Sequence, residues 1–205
     1  MENIIAENCE VIVVDGDGGS SIELLHDLED KNLIKIDSKK GRANQMNTGA
    51  SIAKNEILLF LHADTILPKD AIKLIQDTLK EETIKAGAFD LSFDNNSIAM
   101  KIIAKTASIR SRLTKLPYGD QAIFIKKDIF NTIGGYENIS LMEDVNLMQK
   151  LKRLNHKIKI LKEKVTTSAR KWENRGVIYT TLRNWLLITL YFLKIDPNKL
   201  SKYYK

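Results

Sequence analysis

Apolar residues in the first part of the chain alternate between short continuous runs and helical spacing. The run at residues 10–15 predicts a strand buried on both faces of a sheet, the run at 33–36 a second strand, and the run at 57–61 a third, buried strand. Helical spacing occurs in two sets: Ile22, Leu25 and Leu28, and then Ile72, Ile75 and Leu79 after Pro68, a residue that can open a helix. Strands that alternate with helices in this way indicate a parallel sheet with helices on its faces.

The rest of the pattern predicts further elements of the same kind. Strands are expected at 88–93, 122–125 and 158–161, and helices at 41–54, 98–113, 144–154 and 177–193. We therefore predict an α/β domain over residues 1–176, followed by an amphipathic helical tail over 177–205. Ligands of such sheets bind beyond the carboxyl ends of the strands, where Asp15 and Asp64 are expected.

The tail carries a broad apolar surface. Its expected apolar face comprises Ile178, Leu182, Trp185, Leu186 and Leu193, and lysines follow at positions 194, 199, 202 and 205. One interpretation is packing against the domain or against a partner subunit in a homo-oligomer. The alternative is a helix that lies on an anionic membrane surface.

Composition narrows the classes of function. The chain has 205 residues, 43% of them hydrophobic, and a formal net charge of +6, which suits one globular domain with anionic partners. Its cations do not cluster with interleaved aromatic residues as in nucleic-acid-binding modules, so nucleic acid is not expected as a partner. The single cysteine, Cys9, and an N-terminus without a signal-peptide pattern predict a cytoplasmic protein, with peripheral contact at the inner face of the membrane as the alternative.

The tripeptide His62-Ala63-Asp64 follows a predicted buried strand and ends in a carboxylate. Such a carboxylate can hold Mg²⁺ or Mn²⁺ through oxygen, and the ion can bridge it to a diphosphate. The alternative is that Asp64 only caps the following turn. For His62, a packed and hydrogen-bonded side chain is expected, and a role as a metal ligand is the alternative.

Two polar segments in the second half offer further candidate chemistry. Glu143 and Asp144 stand at the start of a predicted helix, where they either balance the helix dipole or supply a general base for an incoming hydroxyl. The segment 118–121, Tyr-Gly-Asp-Gln, precedes an apolar strand and is either a turn or part of a pocket.

A basic segment follows the last predicted strand. Arg170 and Lys171 can neutralise a leaving diphosphate, and Trp172 can supply an apolar wall beside it. The alternative is an exposed basic loop.

These pieces, in this order, resemble glycosyltransferase family 2, the inverting GT-A enzymes that use nucleotide-diphosphate sugars. The resemblance rests on EVIVVDGDGGSS, GRANQMNTGA, LLFLHADTILP, YGDQAIFI, LMEDVNLMQKLKR, TTSARKWENRG and LRNWLLITLYFLKIDP, which together cover most of residues 10–197. Within the family, the chain looks like a small bacterial subgroup associated with arsenosugar biosynthesis. The implied fold is GT-A, a Rossmann-like, mostly parallel sheet with flanking helices.

The resemblance also implies roles for single residues and a reaction. Asp144, within the Glu143-Asp144 pair, would be the catalytic base, and Asp64 would hold Mn²⁺ or Mg²⁺ as the last aspartate of the family's DxD motif. The implied contacts to the nucleotide and its diphosphate are Asp15, Arg42, Asn47, Arg170 and Trp172. The implied reaction is transfer of a sugar, with UDP as the default nucleotide, to an acceptor hydroxyl.

One feature departs from the family pattern. Family members begin with an additional strand, which lies in the middle of the sheet, whereas only nine residues precede Glu10 here. The resemblance therefore predicts a sheet without the usual first strand. It also leaves open a second class of function, a catalytically impaired homologue that acts as a binding or scaffold protein.

Overall fold

The computed structural model describes residues 9–18 and 33–204. The helix predicted from Ile22, Leu25 and Leu28 lies outside the described residues. Residues 1–8, which bear on the expected absence of the family's first strand, also lie outside them, so that expectation stays a prediction.

The described strands form two sheets. Strands β1 (Val11–Asp15) and β2 (Leu33–Asp37) pair in parallel, in a register that places Asp15 opposite Asp37. The second sheet has the strand order β3-β6-β5-β7-β4. Its strands are β3 (Ile57–Phe60), β4 (Thr65–Ile66), β5 (Ile84–Phe93), β6 (Ile123–Lys126) and β7 (Lys157–Thr167).

The five-stranded sheet is mixed, which corrects the expectation of a mostly parallel sheet. Strands β5 and β7 pair in parallel, whereas β3 with β6, β6 with β5, and β7 with β4 are antiparallel. Strand β6 therefore enters between β3 and β5, which run in the same direction. Antiparallel pairing needs no helical crossover between neighbours, so helix–strand alternation in the sequence did not reveal it.

Helices and turns connect and cover these strands. The helices are α1 (Arg42–Ile52), α2 (Ala71–Lys80), α3 (Ile98–Thr114), α4 (Lys127–Thr132), α5 (Glu143–Arg153), α6 (Arg170–Arg175), α7 (Val177–Phe192) and α8 (Pro197–Leu200). Two 3₁₀ turns, Gly119–Gln121 and Ser201–Tyr203, complete the described part of the chain.

Apolar side chains on the two faces of the larger sheet form two separate clusters. On β6, Ile123 and Ile125 join one cluster with α1, α5 and Leu187 of α7, while Phe124 joins the other with α2 and α3. Gly87 of β5 is required beneath Phe124, because a methyl group there would lie 2.3 Å from the ring and 2.5 Å from the Lys159 carbonyl oxygen. The sheet thus has a buried face on each side.

Strand β1 differs from its prediction. The residues Val11 to Val14 are only half-buried, and Asp15 is the buried member of the strand. The expectation of a strand buried on both faces is therefore wrong for these four residues.

The tail also differs from its prediction, because the other side of its helix is buried. The five residues expected on the inward apolar face are each more than half exposed, and the buried residues of α7 are Thr180, Arg183 and Leu187. The tail contacts the rest of the chain through this second face, through Leu200, and through Asn198, which accepts hydrogen bonds from Ser140. None of the described helices is long and apolar enough to cross a bilayer.

Candidate functional site

Asp15 lies where β1 ends and is held by local hydrogen bonds. Its Oδ1 atom accepts from the backbone N–H of Gly16 at 2.9 Å, and its carbonyl oxygen accepts from the N–H of Ser38 at 2.8 Å. Gln45 of α1 donates to the carbonyl of Val14 at 3.0 Å, which ties this strand end to the helix. The buried Asp15 carboxylate thus lies at the expected edge, and its contact with a nucleotide stays a prediction.

Arg42 and Glu143 form a two-pronged ion pair between the first residues of α1 and α5. The Arg42 Nε atom lies 2.8 Å from Glu143 Oε1, and Nη2 lies 3.2 Å from Oε2. The Glu143 side chain is 2% exposed and that of Arg42 is 40% exposed. Burial, and then the charge of Asp144, raise the pKa of Glu143 to about 7, although Arg42 opposes the rise. Glu143 can therefore exchange a proton near neutral pH.

Asp144 is fixed by backbone donors from two parts of the chain. Its Oδ2 atom accepts from the N–H of Gly119 at 2.7 Å, and its Oδ1 atom accepts from the N–H of Val145 at 2.7 Å. The residue is 8% exposed. An ionised carboxylate offers about four lone-pair sites, so two further acceptor sites remain for a ligand.

The turn that contains Gly119 joins Asp144 to the end of β3. A methyl group built on Gly119 would lie 2.8 Å from Nε2 of His62 and 3.6 Å from Oδ2 of Asp144. The turn is anchored by the buried Gln121, which donates to the carbonyl of Phe89 at 2.8 Å and accepts from the Ser111 hydroxyl at 2.6 Å. The 118–121 segment is thus a turn that lies beside His62 and Asp144, and its part in a pocket stays a prediction.

Asp120 is a further candidate site residue, which the sequence pattern did not single out. Its Oδ1 atom is buried and has no hydrogen-bond partner among the described residues. Burial raises the pKa of this carboxyl, Asp144 adds to the rise, and His62 and two arginines oppose it. The available signal was a carboxylate beside a glycine, directly before a buried strand.

Two non-glycine residues with left-handed backbone flank these groups. Met142, with φ of 65°, precedes Glu143, and Ala122, with φ of 51°, follows the Gly119–Gln121 turn. Such conformations cost on the order of 1–3 kcal/mol and persist where the surroundings impose them. Here they aim the start of α5 and the turn at one another.

Asp64 is exposed in the turn after β3, in which the N–H of Thr65 donates to the carbonyl of His62 at 3.0 Å. Within residues 9–18 and 33–204, no group of three or more His, Cys, Asp or Glu residues could hold a metal ion by itself. Mg²⁺ is commonly bound through one or two carboxylates together with substrate phosphates. Asp64 fits an ion of that kind, shared with a diphosphate, and its metal role stays a prediction.

Asn47 makes a structural contact. Its side-chain amide donates to the carbonyl of Tyr136 at 2.8 Å and accepts from the N–H of the same residue at 2.9 Å. The amide therefore holds Tyr136, and the Gly134-Gly135 turn that precedes it, against α1. Its predicted place beside the nucleotide is not tested by these contacts.

The residues of the basic segment, 170–172, have different surroundings. Arg170 is exposed at the start of α6, whereas the ring of Trp172 packs edge-on against Phe93 with centroids 4.8 Å apart. The Nε1 atom of Trp172 is buried without a hydrogen-bond partner among the described residues. Lys171, between them, lies with its Nζ atom 3.4 Å from the ring centroid of Tyr204.

The structure therefore brings Arg42, Glu143 and Asp144 together and places His62 beside them. Tyr204 joins them from the far end of the chain, since Arg42, Asp120 and Asp144 all act on its pKa, which burial raises. Asn47 is engaged in hydrogen bonds to the backbone of Tyr136, and Trp172 packs against Phe93. No local pattern in the sequence indicated Tyr204, because its proximity to these residues depends on the path of the whole tail.

Comparison with known proteins supports the fold. A mannosyltransferase from Pyrobaculum calidifontis, solved in complex with GDP-Man and Mn²⁺, superposes with a TM-score of 0.61 at 20% sequence identity, over 85% of this chain and 50% of that one. The shared architecture is the GT-A fold, as the sequence resemblance predicts.

Curated relatives share sequence as well. A poly-β-1,6-N-acetyl-D-glucosamine synthase from Staphylococcus epidermidis is 25% identical over 165 residues, which are 73% of this chain and 40% of the relative. The corresponding synthase from Staphylococcus aureus is 28% identical over 95 residues, which are 43% of this chain and 23% of the relative. The chain thus spans less than half the length of the curated relatives that it matches.

A sequence model of the family described as "Glycosyl transferase family 2" matches residues 1–136. This range includes Asp15, Arg42, Asn47 and Asp64 and ends before Glu143 and Asp144. The match covers more than half of the chain, and the chain therefore belongs to glycosyltransferase family 2.

Proposed function

We propose that this protein is a metal-dependent glycosyltransferase that moves a sugar from a nucleotide-diphosphate sugar to an acceptor hydroxyl, with inversion at the anomeric carbon. The observation that carries the proposal is the Asp144 carboxylate. It is buried at the first turn of α5 and oriented by the N–H of Gly119, whose other neighbour is His62, two residues before Asp64.

Asp144 is proposed to act as the general base. Its two backbone hydrogen bonds hold the carboxylate in place and leave acceptor sites for the acceptor hydroxyl. As Asp144 takes the hydroxyl proton, the acceptor oxygen bonds to the anomeric carbon from the side opposite the diphosphate. The bond from that carbon to the diphosphate oxygen breaks, and the nucleoside diphosphate leaves with the electron pair. Glu143, locked to Arg42, positions the start of α5 and sets the electrostatic environment of Asp144.

Asp64 is the proposed protein ligand of the metal, Mn²⁺ or Mg²⁺. A bound divalent ion would neutralise charge on the departing diphosphate. The exposed position of Asp64 suits an ion that arrives with its nucleotide. Asp15, Arg42, Asn47, Arg170 and Trp172 remain the proposed nucleotide and diphosphate contacts.

We propose UDP as the nucleotide, and the test compares it with the alternatives. Thermal unfolding is followed with UDP, GDP or CMP, each with and without Mn²⁺, for the wild type, Asp64→Ala and the control Asp70→Ala. Asp70 is also an exposed carboxylate, and it makes no side-chain hydrogen bond to cap α2. A nucleotide at ~100 times its Kd stabilises by about 2.7 kcal/mol, which raises the midpoint by several degrees at roughly 2–4 °C per kcal/mol.

The expected result is a Mn²⁺-dependent shift with one nucleotide that disappears in Asp64→Ala and persists in Asp70→Ala. Release of that nucleotide from its sugar donors then identifies the sugar. If no nucleotide shifts the midpoint of a protein that melts cooperatively, the proposal fails and the binding or scaffold function takes its place. Retention of Asp64, Asp144 and the Arg42–Glu143 pair does not favour that alternative.

The exposed apolar face of α7 supports a further part of the proposal, peripheral contact with the inner face of a membrane. The face comprises Ile178, Leu182, Trp185, Leu186 and Leu193, and Lys194 and Lys199 follow it. Co-sedimentation with vesicles that contain anionic lipid should be weakened by Trp185→Ser and by high salt. A dimer in light scattering that Trp185→Ser dissociates, without vesicle binding, would instead assign the face to a homo-oligomer.

A further inference from the structure

The outward face of α3 carries large apolar side chains that are open to solvent. Ile98, Ile102, Ile109 and Leu113 are all exposed, and the first and last of them reach 77% and 79%. At 3.6 residues per turn these four positions fall within roughly 60° of one another around the helix axis. They therefore form one continuous stripe, which we call the α3 stripe.

The inward face of α3 packs on the fold mainly through small and polar side chains. Its buried residues are Met100, Ala104, Ser108 and Ser111. The Ser108 hydroxyl oxygen accepts from the N–H of Leu91 at 3.0 Å, so hydrogen bonding helps to hold the helix on β5. Most of the large apolar residues of α3 thus lie in water and not in the core. Contiguous exposed apolar surface of this kind marks an interaction site.

Basic residues follow one edge of the α3 stripe, and α3 contains no aspartate or glutamate. Lys101, Lys105 and Arg112 lie on the same side of the stripe, within roughly 60° of Ile98 around the helix. Arg112 pairs with Asp90, whereas both lysines are exposed and form no salt bridge with a carboxylate of the described residues. An apolar stripe with a cationic edge is typical of a helix that lies on an anionic lipid surface.

The same charges disfavour a second copy of the chain as the partner of this face. In a two-fold symmetric dimer the same patch of both subunits meets, so the lysines of one α3 would approach those of the other. Like charges brought together in this way oppose association, and the net charge of +6 adds to the repulsion. An anionic bilayer instead offers opposite charge to the lysines and acyl chains to the stripe.

We infer that α3 is a membrane-contacting helix. The α3 stripe lies at the boundary between headgroups and acyl chains, and Lys101 and Lys105 contact anionic headgroups. This surface is separate from the exposed face of α7, and neither contact requires the other. The inference does not depend on sugar transfer, because binding of the helix to lipid needs neither a nucleotide nor a metal.

The charged edge is tested by co-sedimentation with vesicles of phosphatidylcholine, with and without phosphatidylglycerol. Lys101→Gln/Lys105→Gln is compared with the control Lys157→Gln/Lys159→Gln, which removes two exposed lysines from β7 and changes the net charge equally. Each basic residue at an anionic surface contributes roughly 5-fold to affinity, so the α3 variant should bind vesicles with phosphatidylglycerol about 25-fold less tightly. The control should lose far less.

The apolar stripe is tested by Leu113→Gln, with Leu154→Gln as the matched control. Leu154 is also an exposed leucine, and it directly follows α5. Loss of one large apolar side chain from the lipid boundary should weaken binding about 10- to 100-fold, at high salt as well as at low salt. Glutamine is a good helix former, so the urea midpoint of Leu113→Gln should stay near that of the wild type.

Several outcomes would overturn the inference. Equal losses in the two lysine variants would mean that net charge alone attracts the protein to lipid. Full binding by Leu113→Gln, with loss only in Trp185→Ser, would assign the contact to α7. A wild type that binds neither kind of vesicle would exclude a lipid partner, and a dimer that Leu113→Gln dissociates would then assign the stripe to a second copy. None of these measurements reads sugar transfer, so the inference and the proposed function can fail separately.

Discussion

Replacing Glu143 with glutamine should make the stability of the protein depend less on pH. Burial and the neighbouring Asp144 raise the pKa of Glu143 from its ordinary value of 4.5 to about 7. The folded state therefore binds this proton more tightly than the unfolded state does. Its stabilising effect is complete below about pH 4.5 and is lost as the pH rises to about 7. Glutamine has a similar shape and does not titrate, so Glu143→Gln does not undergo this loss.

The size of the effect follows from the two pKa values. The difference between 4.5 and about 7 corresponds to about 3 kcal/mol, at about 1.4 kcal/mol per pKa unit. Because Glu143 is only 2% exposed, solvent screening reduces this figure little. We expect the free energy of unfolding of Glu143→Gln, relative to the wild type, to rise by about 2–3 kcal/mol between pH 5 and pH 8.

Urea denaturation at pH 5, 6, 7 and 8 measures this difference, provided that the transitions are two-state. Glu82→Gln is the matched control, because it also replaces one glutamate, an exposed one, with glutamine. A Glu143→Gln difference that changes no more with pH than that of the control would refute the reasoning. It would mean that Arg42 compensates the burial of Glu143 completely, so that the carboxylate is ionised at the lowest pH tested.

Three further predictions address the site and its supports. Asp144→Asn should lower kcat about 10²- to 10⁴-fold and should also lower the urea midpoint, because its amide nitrogen cannot accept the second backbone N–H; a transferase of normal rate would exclude Asp144 as the base. Asn47→Ala should cost about 1–3 kcal/mol through its two hydrogen bonds to Tyr136, and unchanged stability would contradict that role. Trp172→Phe should remain within about 1 kcal/mol of the wild type, whereas Trp172→Ala should lose about 3 kcal/mol with the Phe93 contact. Equal stabilities of the two tryptophan variants in urea would show that the ring does not stabilise the fold.

Elements with a strong local pattern were predictable from the sequence. Helix α2 has its expected buried residues Ile75 and Leu79, and α3 begins at Ile98 as predicted. Strand β7 was expected only at 158–161, yet it continues to Thr167. The extension escaped prediction because its exposed residues, Lys162 to Lys164, hide the alternation, and because pairing with β5 stabilises it.

The sequence was enough to predict single residues of the candidate site, but not the long-range contacts that bring them together. A pair of carboxylates at a helix start is a local signal, whereas the Arg42–Glu143 pair joins residues 101 positions apart. Periodicity identified the apolar face of α7 but not the direction in which it points. The hydrophobic pattern would bury that stripe, yet the fold buries Arg183 on the opposite face. Tertiary contacts determine which distant residues pair and which face of a helix is buried, and these contacts cannot be derived from the periodicity of a single sequence.

The position of Tyr204 beside the candidate site has a consequence for how the protein is made. The candidate site includes Arg42, from the first quarter of the chain, and Tyr204, which is synthesised last among its members. A ribosome must therefore have released residue 204 from its exit tunnel before Tyr204 can pack beside the earlier part of the site. The nascent domain can fold around its sheets while it is still tethered, but the candidate site is complete only once the tail has docked.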